Sequence, residues 1–253
     1  MKNRIIILVF VLTLSGFSRA QEFKIAKNTG RLELNIGRVT VEGHNGNDIV
    51  FSSKNSRHEK DERAQGLQIV NSLGLEDNTG LGIHVADKGD VVEVYQLKQT
   101  HAPDIKVLVP KGVIVSFKYD SQHGGKARFM NLTNEIEVSA LYNSIELDGV
   151  TGPVTVETTY GSVTANFTSP MKDPVSIVSI YGFIDATLPQ DTKADLKLST
   201  SYGDIFVAPE FKIDVKTKDG MKVYSDKITG AINGGGLDID LTCNYGKIYL
   251  RKK

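Results

Sequence analysis

The chemically ordered residues of this sequence are tyrosines. Tyr160-Gly161-Ser162-Val163, Tyr181-Gly182-Phe183-Ile184, Tyr202-Gly203-Asp204-Ile205 and Tyr245-Gly246-Lys247-Ile248 share one pattern, and Tyr142-Asn143-Ser144-Ile145 is a variant of it. A phenol joins an apolar ring to a polar hydroxyl, so repeated tyrosines could form a stacked stripe that binds a glycan or a peptide. The same rings could serve packing alone, each seated at a corner against the next coil with its hydroxyl at the rim. Tyr160 has the parity of Val154 and Val156 before it, which favours packing. Trp is absent, so any carbohydrate platform must use Tyr or Phe.

The other reactive groups form no familiar constellation. His44, His58, His84, His101 and His123 fall in separate segments without metal-ligand spacing. Asp238 and Asp240 flank Ile239 on one outer strand face, but a Ca²⁺ site needs about six oxygens or more. Asn233-Gly234-Gly235-Gly236 lacks the Lys and Ser/Thr of a phosphate loop and reads as a turn. No Gly-x-Ser-x-Gly elbow is present. The outward acids Glu137, Glu146, Asp148, Glu157, Asp185, Asp195 and Asp204 do not recur at one repeat place. No catalytic, cofactor-binding or metal residue is assigned, and no cofactor is expected. The alternative, a polysaccharide lyase or hydrolase on a β-helix scaffold, requires two such acids and a base in one groove.

The elements that would carry the tyrosines follow from the spacing. Counting from Tyr160, Val154, Val156 and Thr158 precede it at even offsets, and Val163 and Ala165 follow at odd ones. A step of 21 residues gives Val175, Ile177, Ser179, Ile184 and Ala186. A second step gives Leu196, Leu198, Thr200, Ile205 and Val207. The segments around Tyr142 and Tyr245 fit equally well. Period-2 alternation marks two short strands per copy. The parity flips across the Tyr-Gly pair, which predicts a corner, with glycine supplying the conformational freedom to turn. A fixed period near 20 residues is a solenoid signature. Adjacent strands lie about 4.8 Å apart, so like residues pile on like. Weaker copies are expected around Tyr119 and Tyr224, where Gln122, Gly124, Lys218, Gly220 and Lys222 miss the inward pattern.

Composition bounds the class. Met1-Lys2-Asn3-Arg4, the apolar run from Ile5 to Leu14 and Ser18-Arg19-Ala20 have the form of a secretory signal peptide, cleaved after Ala20. The apolar run is shorter than the roughly 20 residues needed to span a bilayer. No later stretch approaches that length, so no integral membrane segment is expected after processing. Thirty basic residues balance thirty acidic ones, which gives no electrostatic footprint for nucleic acid. The one cysteine, Cys243, falls where other copies carry Ala140, Thr158, Ser179 or Thr200. It reads as a small inward side chain, and no internal disulfide is possible.

Earlier in the chain, Leu32, Leu34 and Ile36, then Val39 and Val41, then Ile49 and Phe51 read as strands around a turn at 43–47. Residues 54–65 carry mixed charge without apolar period and read as a solvated excursion. Leu67–Val70, Leu81–Val85, Val91–Leu97 and Ile105–Val109 return to strands, the last stopped by Pro110-Lys111-Gly112. No helical period appears after residue 20. The expectation is an all-β, β-helix-like solenoid with coils of about 21 residues. Residues 21–253 form one domain, less regular at its start and most regular at 136–250.

The run Gly37-Arg38-Val39-Thr40-Val41-Glu42-Gly43, the strand from Ile105 to Gly112 ending in Val-Pro-x-Gly, and the repeated x-Gly-x-Ile/Val coils carry a resemblance. Over roughly residues 30–250 the chain is similar to a bacterial adhesin-like family of β-strand-repeat domains of unknown function. The resemblance implies a secreted or envelope β-solenoid and supplies no catalytic residues. The reading is then an exported, non-enzymatic binding, adhesion or scaffold module, in the periplasm, at the cell surface or outside the cell. Its partner would be an envelope polymer or protein.

Overall fold

Alternation at period 2 decides the architecture, because strands with one apolar face must bury it against another sheet. The computed structural model describes residues 21–53, 63, 73–98, 102–215 and 227–253. The expected signal peptide, residues 54–65 apart from Arg63, Leu67–Val70 and the copy around Tyr224 lie outside the described residues.

In chain order the strands are β1 (Glu22–Ala26), β2 (Thr29–Asn35), β3 (Val39–His44), β4 (Asp48–Ser53), β5 (Ile83–Asp87), β6 (Val91–Gln96) and β7 (Ile105–Pro110). There follow β8 (Gly112–Tyr119), β9 (Lys126–Met130), β10 (Ile136–Ala140), β11 (Ser144–Asp148), β12 (Val154–Thr158), β13 (Val163–Asn166) and β14 (Val175–Ser179). The last are β15 (Ile184–Leu188), β16 (Ala194–Thr200), β17 (Ile205–Val207), β18 (Asp214–Val215), β19 (Lys227–Ile232), β20 (Leu237–Cys243) and β21 (Ile248–Lys252). The described chain is all-β, and none of its helices is long and apolar enough to cross a membrane.

Two large, mostly parallel sheets share one core. One has ten strands in the order β1-β4-β7-β3-β9-β11-β13-β15-β21-β17, the other eleven in the order β18-β19-β16-β20-β14-β12-β10-β8-β2-β6-β5. From β8 to β17, consecutive strands alternate between the sheets, so each pair forms a rung with one strand on either side of the core. The pairs β2/β3, β6/β7 and β20/β21 do the same. Inward residues are buried in both sheets, from Val94 and Val107 of the β6/β7 rung at one end to Leu198 of β16 at the other, where Ile205 of β17 packs partly buried against them. Phe117 meets Phe129 edge-on across the core at 6.2 Å.

The register is the one the spacing predicts, but the rung order is not. Val156 pairs with Ile177. Ile177 pairs next with Leu241, and only Leu241 pairs with Leu198. The β20/β21 rung thus enters between β14/β15 and β16/β17. All copies have interchangeable inner faces, so the repeat cannot reveal which one comes next in space. The diversion begins after β17. The chain returns antiparallel through β18 and β19 on the far side of β16, then turns at Asn233, Gly234 and Gly235 into β20. All three turn residues have positive φ, of 51°, 88° and 81°. The chain's early rung is also enclosed: β2/β3 lies between β6/β7 and β8/β9.

Antiparallel strands cover three of the four sheet edges, the fourth being β17. β4 and β1 lie beyond β7, β5 beyond β6, and β19 and β18 beyond β16. Such strands shield a parallel edge from pairing with another chain.

Val156→Asp or Ile177→Asp places an unpaired carboxylate in this core, at a cost of about 4 kcal/mol or more. The expected outcome is loss of the cooperative thermal transition, read by circular dichroism. A variant that melts like the parent would contradict the shared core.

Candidate functional site

The tyrosine corner is built from backbone outward. Beyond the ends of β12, β14 and β20, the parallel ladder continues for two more residues. Tyr160 N–H donates to Leu141 O, Tyr181 N–H to Thr159 O, Tyr245 N–H to Ile180 O and Tyr202 N–H to Asn244 O, each at 2.8 Å. These four equal bonds fix the tyrosine Cα atoms at the rung spacing.

The glycine after each tyrosine is required by close approach rather than by its dihedral angles. Gly161, Gly182, Gly203 and Gly246 are not among the positive-φ residues. A Cβ on any of them would overlap a carbonyl oxygen of the neighbouring rung: Asn143 O for Gly161, Gly161 O for Gly182, Gly182 O for Gly246, and Gly246 O for Gly203. The residue two before each of these four tyrosines donates to that same oxygen. Thr158 Oγ1 donates to Asn143 O at 3.3 Å and Ser179 Oγ to Gly161 O at 2.9 Å. Cys243 Sγ and Thr200 Oγ1 donate to Gly182 O and Gly246 O, both at 3.4 Å. This explains the small polar residue at that place. Cys243 is buried there, and burial pushes its thiol pKa up against the pull of Ser179. Asn143 replaces glycine in the first tyrosine rung, and its buried amide reaches Gly37 O at 2.8 Å and Gly125 O at 3.2 Å.

At this corner the strand has ended, and its parity no longer holds. The tyrosines turn outward and are 42% to 71% exposed, while Val154 and Val156 are buried. They form one continuous stack in the order Tyr142, Tyr160, Tyr181, Tyr245, Tyr202. Ring centroids lie 4.9, 5.2, 4.9 and 5.1 Å apart, with interplanar angles of 16°, 10°, 13° and 6°. All five candidate residues are thus brought together, with Tyr245 filling the gap between Tyr181 and Tyr202. The Tyr119 copy is shifted: Tyr119 pairs with Ala140 and so takes the inward place two before the corner. It is buried, with its hydroxyl accepting from Gln96 Nε2 at 2.7 Å.

A second aromatic group escaped the sequence reading. On the outer face of β21 and β17, Tyr249 stacks on Phe206 at 5.3 Å, and Phe183 meets Tyr249 edge-on at 6.4 Å. Lys247 lies over Phe206 and Arg251 over Tyr249. Phe206 and Tyr249, with Glu210 and Lys252, line an open hollow of about 380 Å³. The available signal was an aromatic residue four positions after both Tyr202 and Tyr245.

The outward acids are mostly engaged one by one. Glu137 is clasped by both Arg31 guanidinium nitrogens at 2.5 and 3.0 Å. Glu146 pairs with Lys126 and Arg128, Asp185 with Arg251, and Asp204 with Lys247. Asp148 accepts from Asn166, and Asp195 from the Gly236 amide. Among the described residues no group of three or more His, Cys, Asp or Glu could hold a metal ion. His44 and His84 each bond a backbone carbonyl at 2.8 Å, while His58 and His101 lie outside the described residues.

The Arg31 hydrogen bond holds the Glu137 carboxyl below its ordinary pKa. Burial would raise Glu146, but Lys126 and Arg128 outweigh it and hold that carboxyl low too. A folded pKa below the unfolded one stabilises above the ordinary glutamate range, and that stability is lost as pH falls through the folded value. Urea midpoints are expected to drop between about pH 5 and pH 3, and Glu137→Gln to reduce that slope. An unchanged slope would remove the pair from the acid response.

Gly182→Ala forces its Cβ into the Gly161 carbonyl and is expected to cost about 2 kcal/mol in urea unfolding, as overpacking does. Tyr160→Phe keeps the stack and should stay within about 0.5 kcal/mol of the parent. Equal midpoints for Gly182→Ala and the parent would refute the close approach.

No curated protein matches the chain. Among solved structures, a candidate cell adhesion protein from Clostridium sporogenes is similar over 93% of this chain and 100% of its own, at 13% identity and TM-score 0.46. A candidate adhesin from Bacteroides fragilis is similar over 93% of this chain and 98% of its own, at 9% identity and TM-score 0.28. Residues 129–250, from β9 to β21, match the model of the Toastrack DUF4097 family.

Proposed function

We propose that the chain is an exported, non-enzymatic β-solenoid that serves as a binding, adhesion or scaffold module of the cell envelope. The rungs are its coils, wound as one domain over residues 21–253. Residues 1–20 are the export signal, removed after Ala20. The observation that carries the binding reading is the tyrosine stack. It places five half-exposed aromatic residues in one continuous row on a surface where the outward acids Glu137, Glu146, Asp185 and Asp204 are each tied into an ion pair. Large amphipathic rings held at little entropic cost are a common currency of recognition. The partner is an envelope polymer or an envelope protein.

Two measurements test this. In the source bacterium, the tagged chain should be found outside the cytoplasm with Gln21 as its first residue by N-terminal sequencing. Cytoplasmic retention with Met1 intact would refute export. The purified, fluorescently labelled chain should then bind envelope fragments saturably. Non-saturable retention, or turnover of an envelope polymer, would overturn the module reading.

A further inference from the structure

The geometry of the tyrosine row restricts what it can hold. Tyr160, Tyr181 and Tyr245 each have a ring on both sides, nearly parallel and about 5 Å away. Their faces are therefore occupied. A sugar or base that stacks, or a cation that lies over a ring, needs an open face. The row instead shows solvent its ring edges and hydroxyls. None of the five hydroxyls bonds another described residue, and each is both donor and acceptor. They recur at the rung spacing over a length of about 20 Å.

We infer that this row is a hydrogen-bonding ladder for a neutral, extended polysaccharide laid along the stack. The inference rests on the binding-module reading and names the class of polymer that module takes. Three observations select the occupant. The residues just before the tyrosines, including Leu141, Thr159, Ile180 and Asn244, are uncharged, so an anionic polymer finds no row of cations. Two positions after the tyrosines stand Ser144, Ser162, Phe183, Asp204 and Lys247, and the two charges among them offset each other at 3.6 Å. An extended peptide repeats its same-face side chains about every 6.7 Å, out of step with hydroxyls about 5 Å apart. A neutral polysaccharide carries donor-acceptor hydroxyls on every unit, matching the chemistry of the row without needing charge or a free ring face.

The test is co-sedimentation of the purified chain with microcrystalline cellulose, chitin and insoluble mannan. Binding to at least one, unchanged in about 0.5 M NaCl, is expected because screening removes only charge-driven contacts. The triple variant Tyr160→Phe, Tyr181→Phe, Tyr245→Phe keeps the rings and deletes three inner hydroxyls. It should lose about tenfold or more in affinity, as several removed hydrogen bonds predict, with an unchanged melting curve. Full binding by the triple variant, loss of binding in salt, or no binding to any of the three polymers overturns the ladder. If the chain still binds envelope fragments saturably in that last case, the ladder falls and the module reading stands. If it binds neither, both fall.

Discussion

Parallel pairing in exact like-on-like register is the constraint on which the rest of this molecule depends. Each rung places an aliphatic residue directly over its counterpart, as in the series Val138, Val156, Ile177, Leu241, Leu198. No rung could bury its inner face alone, so the core exists only through stacking. The same register carries to the corner, where glycine backbones approach within reach of one another and small hydroxyls or a thiol bind the carbonyl below. From there it passes to the surface as evenly spaced rings. One repeat distance thus governs the core, the turn and the exposed row.

Much of this was legible in the sequence because period-2 alternation reports directly on burial. The strand pairs, their inner faces, the inward place of Cys243 and the turn at Asn233-Gly234-Gly235 could be read from spacing. The outward swing of Tyr160 could not, because parity describes a strand and the strand stops at Thr158. Gly182 was legible as necessary but for the wrong reason: the demand comes from a neighbouring rung's oxygen, a contact no local pattern encodes. Tyr119 misled because it is a tyrosine at nearly the right interval, while pairing places it two residues from the corner. Rung order was illegible on principle, since interchangeable inner faces fit any neighbour.

The outer surface uses pairing differently. Opposite charges face each other across neighbouring rungs, as Asp185 does Arg251 and Lys197 does Asp240. Such pairs contribute little stability when exposed. Like charges also fall in register, Glu33 beside Glu93 and Asp195 beside Asp238, and there other partners take up the charge: Lys88 pairs with Glu93, and the Gly236 amide donates to Asp195. The tyrosine row avoids the question by being uncharged.

The two enclosed rungs have opposite meanings for biosynthesis. A nascent chain makes β2/β3 first and can then add β6/β7 to one side and β8/β9 to the other, simple growth from a seed. At the far end the sequence of events is reversed. β16/β17 emerges before β20/β21, yet belongs beyond it, and β14/β15 offers it a compatible sheet edge in the meantime. Every inward aliphatic of β16 matches that premature dock. Docking of β16/β17 before β20/β21 is made would close that slot, so Tyr245 takes its place in the row only once β20/β21 is seated between its neighbours.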